Sequence, residues 1–265
     1  MRQRSFARLS ATASLVALLA AGVGGCAAMR HPDVTGSIGR PDASQPGDTD
    51  WRKVAETYGP RYQANPKDAD AALHFGQALR ALGSREQAVA VLEQATISNP
   101  GNTALLAAYG RALADNGNYQ QAFDTLARAH TPDNPDWSIL SVQGTVLDRM
   151  GRHEDARRYY ASALKLRPDE PLVLSNLGMS YVLSKNLPEA EQALRRAYAG
   201  APTDQRIRQN LALAVGLQGR MPEAEDIVQS GLPPDQAAAN VTSLRELLVR
   251  VGGDARRGAK TNASS

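Results

Sequence analysis

The chain has 265 residues, of which 42% are apolar and only 5% aromatic, and it carries one cysteine and a formal charge of +3. The apolar residues are mainly Ala and Leu, which favour helices, and no stretch alternates polar and apolar for long enough to read as a half-buried strand, so a β-rich fold is excluded. The charge vanishes with residues 1–25, which hold Arg2, Arg4 and Arg8 and no acid; a neutral remainder has no electrostatic grip on nucleic acid, and the short basic tail at Arg256, Arg257 and Lys260 reads as a solvated end.

Residues 1–25 form the first element. A basic start (MRQRSFAR) precedes an apolar run (LSATASLVALLAAGV) and then Gly24, Gly25 and Cys26. That order is the mark of a secretory signal peptide, and the apolar run is shorter than the about 20 residues a membrane span needs. Val23-Gly24-Gly25-Cys26 resembles the bacterial lipobox, with Val where Leu is usual. The resemblance implies cleavage before Cys26 and lipidation of its thiol, which accounts for a lone cysteine in an oxidising compartment. Acyl chains anchor durably, each buried CH₂ contributing roughly 0.8 kcal/mol. Ala27 is not the Asp that often retains such lipoproteins in the inner membrane, so the expected location is the outer membrane, on its periplasmic face.

Residues 26–49 are rich in Gly, Pro, Ser and Asp and show no helical period. They read as a flexible tether with an r.m.s. span of roughly 27 Å.

The body repeats itself. Gly76, Gly110, Gly144 and Gly178 are spaced by 34 residues, and Ala88, Ala122, Ala156 and Ala190 keep the same clock, as do Ala95, Ala129, Ala163 and Ala197. Small residues at these places let two helices approach. Leu92, Leu126, Tyr160 and Leu194 supply bulk between them. Gly83, Gly117, Gly151 and Gly219 suit a left-handed cap after a first helix. Pro188 and Pro222 suit the start of a second helix. Pro66, Pro100, Pro168 and Pro202 close the units, with Pro135 one residue late.

This pattern resembles the tetratricopeptide repeat (TPR). The expected fold is all-α: an α-solenoid, a right-handed superhelix of helix-turn-helix repeats. A half-repeat falls at 50–68, kinked at Gly59-Pro60, followed by repeats at 69–102, 103–136, 137–170 and 171–204. A degenerate repeat follows at 205–238, then a capping helix at 239–251 carrying Val241, Leu244, Leu247, Leu248 and Val251 on one face, and a disordered tail at 252–265.

No catalytic, metal-binding or cofactor motif accompanies the repeats. His31, His74, His130 and His153 are scattered and lack zinc spacing, and neither a Walker loop nor a nucleophile elbow occurs. The chain is therefore expected to be a binding protein, not an enzyme, with no cofactor.

By the TPR resemblance, partners bind a groove lined by the first helices. Its expected residues are Leu73, Gln77 and Arg80, then Ala107 and Arg111, then Ser141, Thr145 and Asp148, then Ser175, Asn176, Met179 and Val182, and finally Gln209, Asn210 and Leu213. Asn176 and Asn210 have two open roles: bonding a partner's backbone, or bonding a neighbouring turn. Met179, Val182, Leu183, Leu213 and Leu217 would make the groove apolar towards its end, fitting a hydrophobic partner segment. The Lys and Arg clamp of chaperone-binding TPR proteins is not assembled.

Two further segments, RIRQNLALAVGLQGR and the AAANV-x-x-LR stretch that follows Pro233-Pro234, resemble the TadD family of tight-adherence (Flp) pilus assembly lipoproteins over roughly residues 50–250. That resemblance implies a pilotin-like scaffold whose partner is a pilus secretin or another Tad component. Adaptors for β-barrel assembly or for peptidoglycan enzymes are the alternative, since both use lipidated helical repeats.

Overall fold

The computed structural model describes residues 50–262, with side chains through Val249. The expected signal peptide (1–25), the lipidation site Cys26, the tether (26–49) and the last three residues lie outside the described residues.

Twelve helices and no strand occupy the described residues. They are α1 (Trp51–Ala64), α2 (Ala69–Ala81), α3 (Arg85–Ser98), α4 (Thr103–Asp115), α5 (Tyr119–Ala127), α6 (Trp137–Arg149), α7 (His153–Leu166), α8 (Pro171–Leu183), α9 (Leu187–Gly200), α10 (Gln205–Leu217), α11 (Met221–Gln229) and α12 (Pro234–Asn262). The five first helices α2, α4, α6, α8 and α10 start where the spacing places the five repeats. The result is an all-α, superhelical stack of helix pairs.

Local chemistry sets the ends. Asp68, Asp136 and Asp204 turn a carboxylate onto two free amides at the start of α2, α6 and α10, and Asn102 does so to one amide of α4. Each of these satisfies a donor that the helix leaves open. Pro171 opens α8, where a missing N–H is harmless. At the other end the chain turns through a left-handed residue, Gly83, Gly117, Gly151 and Gly219 in four of the repeats. The amide one place beyond then reaches back to the last turn, as Ser84 does to Leu79 at 2.9 Å. The fourth repeat breaks the rule, with Lys185 at φ 63°.

Within each repeat the first helix lies against the second through a glycine. A Cβ on Gly76, Gly110 or Gly178 would stand 2.5 Å from Cγ of Leu92, Leu126 or Leu194, and one on Gly144 would stand 2.6 Å from the Tyr160 ring. No side chain fits there. Ala88, Ala122, Ala156 and Ala190, with Ala95, Ala163 and Ala197, are fully buried at the same interfaces. The repeat period is thus a packing period.

Two second helices are short: α5 and α11 have 9 residues where α3, α7 and α9 have 14. After α5 the chain folds back through a bridge between Thr131 and Asn134, and the displaced Pro135 follows. Helix α1 passes through Pro60 in one piece and buries Gly59 against the Phe75 ring.

The end of the chain corrects two expectations. The cap begins at Pro234, not 239, and runs to Asn262, where a cap ending at 251 and a disordered tail from 252 were expected. Pro234 presets the first helical φ and Asp235 complements the dipole, and Gln-Ala-Ala-Ala then contains no breaker. Gly252 and Gly253 each disfavour helix by roughly 1 kcal/mol but do not interrupt it. Val241 and Leu244 are buried against the last repeat, and Leu248 sits on Gly216, whose Cβ would come within 2.8 Å of it.

Candidate partner-binding face

The backbones of successive first helices lie close together, whereas successive second helices stand farther apart and meet through side chains such as Phe123 with Tyr159 and Arg195 with Glu223. Curvature therefore puts α2, α4, α6, α8, α10 and the start of α12 on the inner side. Their inward positions are where a partner would lie.

The structure divides the expected groove residues into two groups. Leu73, Gln77, Arg111, Asn176, Gln209 and Asn210 are half-buried and remain accessible. Arg80, Ala107, Ser141, Thr145, Asp148, Ser175, Met179, Val182 and Leu213 are buried, which corrects their placement in an open groove. Met179 and Leu213, each only 1% exposed, belong to the core between repeats four and five. The cause is direct contact between successive first helices, which closes the fifth, ninth and twelfth positions of the later repeats.

Across that contact runs a series of side-chain hydrogen bonds between residues 35 apart. Arg80 Nε donates to Asp115 at 2.8 Å, and an ion pair at 2.7 Å joins the same two groups. Asn176 Nδ2 donates to Ser141 Oγ at 3.3 Å and Asn210 Nδ2 to Ser175 Oγ at 3.0 Å. Gln205 Nε2 donates to Asn240 at 3.5 Å, so α12 continues the series as the first helix of a further unit. Arg111 Nη2 reaches Ser138 Oγ at 3.0 Å. The two asparagines therefore bind a neighbouring helix, not a neighbouring turn. Each spends one N–H this way, and its Oδ1 has no partner among the described residues.

Repeat three carries a buried polar knot. Asp148 accepts from His153 Nδ1 at 2.8 Å, from Ser180 Oγ at 2.8 Å and from Tyr160 Oη at 2.9 Å, and Tyr160 also lies 3.3 Å from Thr145 Oγ1. Burial pushes the Asp148 carboxyl above its ordinary value, against the lowering by its three donors. Burial, reinforced by the Asp148 charge, raises the Tyr160 phenol well above its own. With every member bonded, the knot ties α6, α7 and α8 together.

The other two described histidines are engaged as well. His74 stacks on Tyr58 at 4.6 Å and lies 3.3 Å from Asp70, while His130 Nε2 bonds Gln143 at 3.1 Å. Among the described residues no three His, Cys, Asp or Glu side chains cluster to hold a metal, and no helix is long and apolar enough to cross a membrane.

What stays accessible on the inner side changes along the stack. Over repeats one to three it is charged, with Asp70, His74, Arg111, Asp115 and Arg149. Over repeats four and five it is neutral apart from Arg206 at the rim: Leu172, 39% exposed, with half-buried Asn176, Leu183, Gln209, Asn210 and Leu217. Leu172 was absent from the expected groove. It occupies the second position of its repeat, at the rim, where its side chain is apolar while Asp70 and Arg206 are charged.

Family models of the tetratricopeptide repeat match residues 73–136 and 142–205, and a second such model matches 182–248. The gap between the first two matches, 137–141, falls on the start of α6, and the short α5 lies inside the first match. No curated protein matches. Among solved structures, the chain is similar to the APC/C hetero-tetramer Cut9-Hcn1, at a TM-score of 0.64 and 16% identity over 78% of this chain and 40% of that one. It is also similar to the human IFIT1 dimer with PPP-AAAA, at a TM-score of 0.56 and 17% identity over 67% of this chain and 44% of that one. The chain thus spans less than half the length of either, and at these identities the likeness is one of fold.

Proposed function

Because the chain belongs to the tetratricopeptide-repeat family, a fold of protein-protein interaction scaffolds, we propose that it is an outer-membrane-anchored scaffold assisting assembly of a Flp/Tad pilus machinery, pilotin-like towards the secretin. The observation that carries the binding part is the neutral stretch of the inner face. Leu172, Leu183 and Leu217 offer partly exposed apolar surface, and the amides of Asn176 and Asn210 keep an acceptor each beside it. A site of this composition suits an uncharged, extended segment whose side chains pack on the leucines while its backbone bonds the amides. Its breadth over two repeats gives specificity without any clamp of charges.

The membrane part rests on the signal-like start and on Cys26 in its lipobox-like setting. The pilus part rests on the resemblance of RIRQNLALAVGLQGR and the AAANV-x-x-LR segment to TadD-type lipoproteins. A tether of about 24 residues lets the solenoid reach a secretin from the membrane surface.

The test is crosslinking in intact cells, purification of the lipidated chain and mass spectrometry of what accompanies it. Recovery of a secretin or another Tad component is expected, together with loss of membrane attachment and of secretin multimers in Cys26→Ser. Recovery of barrel-assembly subunits or cell-wall enzymes instead would replace the pathway while keeping the scaffold. Unchanged attachment in Cys26→Ser would remove the anchor.

A further inference from the structure

Arg208 stands in α10 where Ala72, Leu106, Leu140 and Leu174 stand in the four earlier repeats, the fourth place of a first helix. It is 7% exposed. Its Nη1 donates to the Ser230 carbonyl at 3.0 Å, at the end of the short α11, and its Nε is buried without a partner. Nη2 makes no bond yet is not shut off, so it is the nitrogen open to solvent. No described carboxylate pairs with this guanidinium. Of the acids on the adjoining helices, Asp204 is paired with Arg206 at 3.7 Å and Glu225 with Arg245 at 2.7 Å. Asp235, on the first turn of α12, makes no ion pair with it.

A buried cation with unspent N–H groups destabilises a fold unless an anion joins it, and an apolar side chain fills the same place in every other repeat. A second feature points the same way. Helix α12 starts four residues after Ser230, and the free amides of its first turn, at Asp235 and Gln236, favour an anion. Gly231, at φ 72°, turns the connecting loop between the two.

We propose that the notch formed by Arg208, the Ser230–Leu232 loop and the first turn of α12 receives a carboxylate from a protein partner, held on Nη2. A carboxylate fits better than a phosphate because one cation serves the notch, and Arg206 on the same helix and Arg245 on α12 are already paired. The notch uses none of the leucines or asparagines of the neutral groove, so this inference does not depend on that reading.

Residues 27–265 contain every described helix and suffice for the test. In two-dimensional NMR, sodium acetate is titrated against sodium chloride at matched ionic strength. The expected result is a saturable shift of the Gly231–Ala237 amides and of the Arg208 Nε–H. Arg208→Met should abolish the amide shifts and leave the helical spectrum intact, with equal or higher Tm since the unpaired cation is gone. Shifts that fail to saturate, or that persist in Arg208→Met, overturn the site, and saturation by inorganic phosphate but not acetate overturns the carboxylate. Should Arg208→Met not fold, Arg208→Lys keeps the charge without the planar fork, and a severalfold weaker acetate response is then expected. An acetate response as strong as that of the unsubstituted chain overturns it.

Discussion

Asp148 on α6 accepts a hydrogen bond from Ser180 on α8 at 2.8 Å, and so a single buried carboxylate couples the third repeat to the fourth. Tyr160 and His153 complete its shell, where Leu92, Leu126 and Leu194 show that the Tyr160 position is ordinarily apolar. Asp148→Ala strands three donors in the core and should cost about 3 kcal/mol in urea unfolding. Asp148→Asn should cost far less. An amide turned with Oδ1 towards Ser180 and His153 and Nδ2 towards Tyr160, which then donates to Thr145, keeps the knot bonded. Equal losses in the two variants would show that shape, not hydrogen bonding, matters there.

The same carboxyl has a pH signature. Burial raises its value in the folded protein above the unfolded one, so its contribution to stability is fully present below the unfolded value and is lost as pH rises through the folded value. The stability of the native chain minus that of Asp148→Asn should therefore increase as pH falls towards 4. The subtraction removes the opposite trend expected of carboxylates whose values are lowered, such as Asp136, where hydrogen bonds from Ser138 and Ile139 outweigh burial. A flat difference from neutral pH down to that range would contradict the assignment.

Gly178 illustrates how closely the helices of a repeat approach. Its missing Cβ would lie 2.5 Å from Leu194 Cγ, a branch point with no freedom to swing aside. Gly178→Ala adds helix propensity of about 1 kcal/mol, but overpacking at this contact should dominate and give a net loss of about 1–3 kcal/mol. Leu194→Ala in the same chain removes the clash, so adding Gly178→Ala to it should recover the propensity gain. Denaturant midpoints of the four chains measure both effects. Ala156→Leu, at a fully buried contact of α7, should cost a similar about 1–3 kcal/mol.

The glycine period and its bulky partners were legible because they satisfy a constraint internal to one repeat, and the starts of α2, α4, α6, α8 and α10 follow from it. The accessibility of Thr145, Met179 and Leu213 was not legible, because it depends on how far one repeat rotates against the next. Spacing within a repeat does not contain that angle. The polar knot was hidden for a related reason: Tyr160, Asp148 and Ser180 come from three helices, and nothing in their separate neighbourhoods announces a shared site. The neutral end of the inner face was visible in outline, but its accessible leucines are Leu172, Leu183 and Leu217, while Met179, Val182 and Leu213 serve the core. Asn176 and Asn210 turned out to be shared between the fold and the face, since each donates to the preceding repeat and keeps its oxygen.

Lys185 occupies the turn between α8 and α9 at φ 63°, where the other repeats place glycine at φ between 75° and 86°. Its Cβ makes that conformation unfavourable by roughly 1–2 kcal/mol, partly offset by the lower entropy of the unfolded chain with lysine. Lys185→Gly should therefore stabilise the protein by about 1 kcal/mol and raise Tm by a few degrees. The converse change, Gly151→Ala, should lower it by a similar amount. No change in either variant would mean that this turn relaxes in solution.

Leu172 separates binding from folding. It is exposed at the rim of the neutral face, so Leu172→Glu should leave Tm and the helical spectrum unchanged, within about 0.5 kcal/mol. If an uncharged segment packs on this face, the same substitution places an unpaired charge in the contact and should weaken partner capture about tenfold, or about 1.4 kcal/mol. Leu82 is also exposed but lies at the turn that ends α2, and Leu82→Glu serves as the matched control. The measurement is the Kd of the partner recovered by crosslinking, for the native chain and both variants. Loss of affinity in Leu172→Glu alone places the partner on repeats four and five. Equal affinity in all three chains removes the neutral face as the binding site and directs attention to the charged half formed by Asp70, Arg111 and Asp115.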